Sequence, residues 1–473
     1  MAKTQPARGM RDFLPTEVRR REYVIGVIKE VYERYGFEPL ETPAVENIET
    51  LMGKYGEEGN QLIFKILKRG EHEKTGEADL ALRYDLTVPL ARVVAEYGDK
   101  LPKFFKRYQI QPVWRADKPG RGRFREFYQC DVDAIGSRSL VVEAEVCAAV
   151  SEAMTKLGFT NFTLRLNHRQ VLDGVLDAAG IPAEQHTDAL VALDKLDKIG
   201  RAGVAKEFQA RGILEESGEN LLEFFENLAS LEHAAELLDP DALNSDGEGS
   251  PAEALSRAML GRLVEFVGDH ERGARGVDEL RKIVEYSAAC GTGARIKIDP
   301  SLARGLSYYT GTIMEINVPD FAGSLGGGGR YDNLVGMFSG RDVPACGFAL
   351  GLERIIVVMA ERGMFPDALA GSSADVMVTI WNEESAADAL ALARELRGPD
   401  AGLRVYVYPE ADKLGKQFKY ASACGVPFVV VVGDDERARD EVTLKNMTTG
   451  EQQTLARDAA TIADAVRASL VRS

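Results

Sequence analysis

The chain is poor in the residues that metal, redox and membrane proteins depend on. Of its 473 residues, 5 are cysteine and 5 are histidine. The cysteines stand at 130, 147, 290, 346 and 424 with no C-x-x-C, which argues against a disulfide framework or a structural zinc site. The histidines are scattered, with no H-E-x-x-H, and read as ordinary surface or core residues. No apolar run approaches the roughly 20 residues of a membrane span. The opening stretch "MAKTQPARGMRDFLP" lacks the apolar core of a signal peptide, so a cytoplasmic protein without a membrane partner is expected. There is no G-x-x-x-x-G-K-[ST], and Tyr331 occupies the last place of a would-be G-x-G-x-x-G at Gly326–Gly329, so both familiar glycine signatures for nucleotides fail. Cations are in deficit, 58 Lys+Arg against 74 Asp+Glu, for a net charge of −16. That balance argues against indiscriminate coating of nucleic acid, but a local basic face is enough for a specific contact.

An apolar content of 45% is enough for a sizeable core, and the length suits about two to four domains. Against the acidic background, residues 101–125 are basic and opposed only by Asp117. The sign then reverses, with Gln129, Asp131 and Asp133 on an apolar, alternating stretch. "FKRYQIQPVWRA" and "RFREFYQCDVDAIG" read as two antiparallel strands joined by a charged loop over 116–123. "VRRREYVIGVIKEVYERYGF" has helical spacing and stops at Gly36. "LALRYDLTVPLARVVAEY" reads as strand, turn and helix, with Pro89 in the first helical turn. Ser139 is a plausible N-cap for a helix that stops at Gly158. Residues 168–285 are helix-rich and acidic, and "DPDALNSDGEGSPAEA" reads as a flexible loop. Strand signals return in "ARIKIDPSLARGLSYYTGTIMEINV" and in "ACGFALGLERIIVVMAERG", where a strand leads into a helix. Beyond the linker "PDALAGSS", about 100 residues alternate strand and helix, as in a small α/β domain with a largely parallel sheet.

Without a P-loop, a triphosphate has to be met by side chains, and arginine's rigid fork matches phosphate oxygens. Arg115, Arg123, Arg304 and Arg354 each sit at a strand edge or early in a helix. The glycine cluster reads best as a strand whose missing side chains let a planar ligand lie against the backbone.

Three stretches, in order, resemble the three motifs of the class II aminoacyl-tRNA synthetases: "GFEPLETPAVENIETL", "FKRYQIQPVWRADKPGRGRFREFYQCDVDAIG" and "GFALGLERI". "LRYDLTVPLAR" and "RGLSYYTGTIMEI" narrow the resemblance to the histidyl-tRNA synthetase family, in the version with D-L-T in place of P-E-G-T. "SLGGGGRYDNLVGMF" and "LNHRQVLDGVL" agree with it, so the resemblance covers nearly the whole chain. It implies an α+β catalytic domain with an antiparallel six-stranded sheet over 1–167 and 286–365, a helical insertion over 168–285, and an α/β anticodon-binding domain over 374–473. It also implies a homodimer formed through the first motif, with L-histidine, ATP and tRNA(His) as substrates.

The implied reaction joins histidine to the α-phosphate of ATP, releases pyrophosphate, and passes the histidyl group to the 3′ end of the tRNA. Arg115 and Arg304 would be catalytic, holding the α-phosphate and the reacting carboxylate. Arg115, Arg123 and Arg354 would bind ATP. Asp85, Thr87 and Gln129 would bind the α-ammonium group, with Leu86 between them also counted in the histidine site; Asp133 and Tyr309 would address the two imidazole nitrogens, and Tyr308 would line the same pocket. Asp131 is read as support, because it shares a strand face with Asp133 and one of the two could simply pair with an arginine. Mg²⁺ is expected with ATP, held mainly by phosphates, with the acidic side chain unidentified. Ser307 departs from the acidic residue the family commonly has before the tyrosine pair. Lys118 and Arg121 are candidates for contact with the acceptor end. Lys413, Lys416 and Lys419 suit either anticodon-stem phosphates or a solvated helix face. The alternative function is a histidine-binding regulatory paralogue of the synthetase core that charges no tRNA. Such a relative would be expected to lack the C-terminal domain and to erode the motif arginines.

Overall fold

A computed structural model of the chain describes residues 4–70, 75–193, 195–236, 250–303 and 308–470. The chain forms two compact units, Met1–Met364 and Phe365–Ser473.

The first unit is organised on an eight-stranded sheet. In chain order its strands are β1 (Glu38–Pro39), β5 (Phe105–Trp114), β6 (Glu126–Ile135), β7 (Thr163–His168), β8 (Ile296–Ile298), β9 (Thr312–Asn317), β10 (Gly326–Arg330) and β11 (Ala345–Gly351). The spatial order is β1-β5-β6-β11-β10-β9-β7-β8. The six inner strands are all antiparallel, as expected. The sheet exceeds six because a short parallel strand flanks each edge, β1 against β5 and β8 against β7. The two-residue β1 carries too little alternation to be read from a sequence, whereas β8 falls where strand signals were expected, with only its pairing unforeseen. A smaller sheet, β2 (Val45–Asn47), β4 (Ala78–Leu82) and β3 (Lys65–Leu67), lies beside it in the order β2-β4-β3.

Alternation along the inner strands gives the large sheet two chemically different faces. Cys130 and Val132, Phe348 and Leu350, Met314 and Ile316, and Leu164 and Leu166 point to one side and are buried. Helices Pro15–Arg34 and Val141–Lys156 cover that side. The Tyr32 hydroxyl donates to the Cys130 carbonyl at 3.2 Å, and Cys147 Sγ lies 3.6 Å from Met314 Sδ. The opposite positions in the same register are Arg107 and Gln109, Gln129, Asp131 and Asp133, Gly347 and Ala349, Gly327, and Glu315. This second face is polar and poor in side-chain bulk, the composition of a binding floor rather than a core.

The helix expected after Gly136 starts at Val141, capped from Leu140 without a side-chain bond; the Ser139 hydroxyl accepts from the Val141 N–H at 3.4 Å instead. Between β7 and β8 the described residues form helices at Arg169–Ala178, His186–Leu193, Leu196–Ala210, Glu215–Glu236, Pro251–Val267 and Glu271–Ala289. Residues 239–249 of the stretch read as a loop lie outside the described residues. Its end is a helix start, where Ser250 and Glu253 form a reciprocal capping box with Pro251 at the first helical position.

The second unit has a five-stranded sheet in the order β13-β12-β14-β15-β16, from Val405–Val407, Val376–Val378, Phe428–Val431, Glu441–Asn446 and Gln452–Ala456 respectively. Val378, Leu392, Leu396, Val430 and Val466 are in its core. Only β13-β12-β14 is parallel; β14-β15-β16 is antiparallel. The edge strand β16, "QQTLA", escapes sequence reading because it is largely exposed and polar. Among the described residues no helix is long and apolar enough to cross a membrane.

Candidate active site

A cavity of about 340 Å³ opens on the polar face of the large sheet. Asp85 and Thr87 reach it from the turn after β4, and Arg115, Arg123, Gln129 and Asp133 from the β5–β6 hairpin. Tyr308 and Tyr309 enter ahead of β9, and Arg354 from the first turn of helix Leu352–Glu361. Residues up to 269 positions apart in sequence, Asp85 to Arg354, thus share one wall. Leu86 is a correction to the expected set. Its side chain is fully buried and does not line the cavity, and its carbonyl accepts from Arg107 Nη2 at 3.3 Å. Arg304 and Ser307 lie outside the described residues.

One end of the cavity is acidic and hydroxylic. Asp85 Oδ1 accepts from the Tyr55 hydroxyl at 2.9 Å and the Val88 N–H at 3.0 Å, and Oδ2 accepts from the Tyr308 hydroxyl at 3.1 Å. Burial pushes its carboxyl above the usual range, against the pull of these donors and of Arg115. Two strand positions away from each other, Asp131 and Asp133 stand over the wholly buried Arg107. Arg107 Nη2 is 2.9 Å from Asp133 Oδ2 and 3.7 Å from Asp131 Oδ2. The closer contact is an ion pair without good hydrogen-bond direction, because Asp133 Oδ2 still lacks a directed donor. Asp133 Oδ1 accepts from the Tyr331 hydroxyl. Gln129 Oε1 and Asp131 Oδ1 are buried with no hydrogen-bond partner, polar atoms in a cavity wall that a ligand would satisfy. Tyr308 and Tyr309, just ahead of β9, both line the cavity, with ring centres 5.1 Å apart.

The other end is cationic. Arg115 donates from Nε to the Tyr84 carbonyl at 3.0 Å and lies over the Tyr84 and Phe127 rings, at 4.3 and 5.2 Å. Arg354 donates to the Ser324 carbonyl at 2.5 Å. Neither forms an ion pair with a described residue. Arg123 does, with Asp117 at 3.1 Å. Burial lowers the pKa of Arg354, and repulsion from Arg123 and Arg115 lowers it further. Three guanidinium groups crowd one site; Asp117 meets the charge of Arg123, and an anionic ligand would meet that of Arg115 and Arg354.

Glycines shape the floor between the two ends. A Cβ on Gly347 would stand 1.9 Å from Asp133 Oδ1, so this glycine makes the room that the carboxylate occupies. Gly327 faces the cavity with no atom closer than 3.4 Å to its Cβ position, as the planar-ligand reading of the glycine strand requires. The end of that strand is tied down by Arg330, which forks onto Glu143 at 2.6 and 2.8 Å.

Sequence reasoning missed Arg107, Tyr331 and Tyr55. Arg107 was legible in principle, because hairpin register sets it opposite Asp133. The two tyrosines carry no local signal, since tertiary contact alone brings them to Asp133 and Asp85. Outside the cavity, Arg121 forks onto Glu361, and Lys416 pairs with Asp412 at 2.6 Å.

The family model "Histidyl-tRNA synthetase" matches residues 9–355, and "Anticodon binding domain" matches 375–462. A histidine–tRNA ligase of Porphyromonas gingivalis is 42% identical over 98% of this chain and 100% of its own. One from Gloeobacter violaceus is 41% identical over 94% and 95%. The crystal structure of histidyl-tRNA synthetase from Nostoc sp. PCC 7120 superposes with a TM-score of 0.78 at 32% identity, covering 99% of this chain and 100% of that one. By its sequence, its fold and the two-ended cavity on its sheet, the chain belongs to the histidyl-tRNA synthetase family.

Proposed function

We propose that this chain is an ATP-dependent histidine–tRNA ligase that activates L-histidine as histidyl-adenylate and transfers it to the 3′ end of tRNA(His). The observation that carries the reading is the division of one cavity into an acidic, hydroxylic end and a cationic end, which matches an amino acid lying against a triphosphate. The full-length ligase relatives and the second, anticodon-binding unit favour it over a regulatory paralogue that charges no tRNA.

In this reading Asp85, Thr87 and Gln129 accept from the α-ammonium group, with the unpartnered Gln129 Oε1 one of the acceptors. Asp133 and Tyr309 address the ring nitrogens, and Tyr308 braces Asp85. Arg115, held by the Tyr84 carbonyl and sandwiched by aromatic faces, bridges the substrate carboxylate and the α-phosphate, two anions that must approach within about 3 Å. Arg304 is assigned to the same phosphate through its motif. Arg123 and Arg354 take the distal phosphates, and Arg354 also takes the adenine face. Carboxylate oxygen attacks the α-phosphorus, and the bond to the bridging oxygen breaks to release pyrophosphate.

Among the described residues no three metal-ligating side chains converge, so Mg²⁺ would arrive on the phosphates. Glu315 fits it best, because both Glu353 oxygens are already engaged, by Arg21 and the Tyr128 N–H at 2.8 Å each, whereas among the described residues Glu315 has a single, 3.5 Å ion pair, to Arg165. The ion would offset triphosphate charge. Residues 168–285 are assigned as an insertion near the acceptor arm, 1–167 and 286–365 as the catalytic domain, and 374–473 as the anticodon-binding domain, in a homodimer.

Amino-acid-dependent ATP–pyrophosphate exchange tests this, run with each standard amino acid in turn. Exchange with histidine alone is expected. No exchange with any amino acid, from folded protein supplied with Mg²⁺, would reject the catalytic reading in favour of the regulatory one.

A further inference from the structure

We propose that the ring end of the pocket is read by two carboxylates rather than one. Asp131 accepts a ring N–H through its unpartnered Oδ1, so that histidine is bound with its side chain as the imidazolium. The inference rests on the histidine-binding reading above and deepens it.

Three observations carry it. Asp131 lines the cavity, is 1% exposed, and has a buried Oδ1 with no hydrogen-bond partner. Leaving such an oxygen dry and unpaired is costly, and a ligand donor would remove the cost. Each carboxylate has one oxygen without a directed donor, but Asp133 is the more committed of the pair, with Oδ1 on the Tyr331 hydroxyl and Oδ2 in a 2.9 Å ion pair with Arg107. Asp131 is the less committed, 3.7 Å from the same guanidinium. A support role, as first read for Asp131, would show the reverse.

Counting charges gives the state of the ring. Among the described residues, the charged and titratable side chains facing the pair are Arg107 and, farther off, Arg115 from the β5 strand and its end, Asp85 from the turn after β4, Tyr308 and Tyr309 ahead of β9, and Tyr331 after β10. β11 contributes only Gly347 and Ala349. Asp85 is matched by the substrate ammonium, and Arg115 by the substrate carboxylate. Asp131 and Asp133 then share one cation, Arg107, and the ring end carries one net negative charge. A neutral ring leaves that charge uncompensated in a buried site, whereas an imidazolium cancels it and offers two N–H donors. Burial pushes both carboxyls above their usual range, against the pull of Arg107 on both and of the more distant Arg115 on Asp131.

The test is equilibrium binding by titration calorimetry near pH 7, using L-histidine and 1,2,4-triazole-3-alanine. The analogue has the same ring size but does not take up a proton at that pH. The full-length protein is compared with D131N, which keeps the shape and removes the charge, and with D131S should D131N fail to fold. The native protein should prefer histidine by about 100-fold or more. D131N should lose about 10- to 100-fold in histidine affinity while the analogue changes less than about threefold, the loss of one charge-assisted bond. Unchanged histidine affinity in D131N, or equal losses for both ligands, would overturn the proposal. No histidine binding by the native protein would instead sink the proposed function, before any variant is compared.

Discussion

At the residue scale, Arg115 holds its place through one carbonyl and two rings, so its charge is unspent until a substrate arrives. Arg115→Gln keeps a donor and removes the charge. It should lower kcat for pyrophosphate exchange by about 10²–10³ with a smaller change in the KM for histidine. Gly347→Ala places a methyl group where Asp133 Oδ1 sits, and Val132's carbonyl, 2.8 Å away, blocks retreat. Overpacking of this kind costs about 1–3 kcal/mol, visible as a lower denaturation midpoint, and histidine binding should weaken with it. Asp131 links the site to stability. Burial raises its carboxyl well above the usual range; Arg107 draws it back, and Asp133 and Asp85 push it up again. A raised native value means that the native state binds more protons than the unfolded chain between the two values, so stability falls as pH rises through that window. The ligand-free D131N protein should therefore melt higher than the native protein at neutral pH, and the gap should close below the ordinary carboxylate range. A lower melting temperature for D131N at neutral pH would contradict this account.

At the element scale, the charged loop of the β5–β6 hairpin is held by the N-terminal segment. The Gly9 carbonyl accepts from the Arg125 N–H at 2.8 Å, Arg11 lies 3.5 Å over the ring of Phe124, and Phe124 lines the cavity. Gly9 has φ +84°, and Arg125 and Pro119 atoms lie 2.8 and 2.9 Å from its Cβ position, so both the turn and the close approach demand glycine. Arg11→Ala removes a stacking contact worth about 0.5–2 kcal/mol. It should raise the KM for ATP severalfold and leave the KM for histidine nearly unchanged, since the loop serves the cationic end. Steady-state kinetics with each substrate varied separately would check the split. The hairpin itself was legible in the sequence because alternation and sign reversal mark both strands. Leu86 was not, because the D-L-T match places three consecutive residues by family and only the fold decides which side chains face the cavity.

At the scale of the whole molecule, the second unit has its own core and sheet. A fragment ending at residue 364 should keep histidine-dependent pyrophosphate exchange and lose most tRNA charging. The chain's net charge is −16, so any tRNA contact relies on local basic faces. Raising salt from about 50 to 200 mM should depress charging far more than exchange, because phosphate contacts release counterions and the small-molecule step does not.

The sequence by itself determined the β5–β6 hairpin, the helices flanking it and the α/β second unit, because alternation and helical spacing are local signals; the six-stranded antiparallel sheet and most of the cavity lining followed from the resemblance its motifs carry. Only the tertiary structure decided the pairing of the two edge strands, the burial of Leu86, the meeting of Tyr308 and Tyr309 at one cavity, and the partners Tyr55, Tyr331 and Arg107. Those depend on register and on contacts between distant segments. It also decided that Asp133 is the carboxylate closer to Arg107 and held by Tyr331, while Asp131 Oδ1 has neither kind of partner. On a strand the two are equivalent by spacing, and Arg107 sits directly across from Asp133.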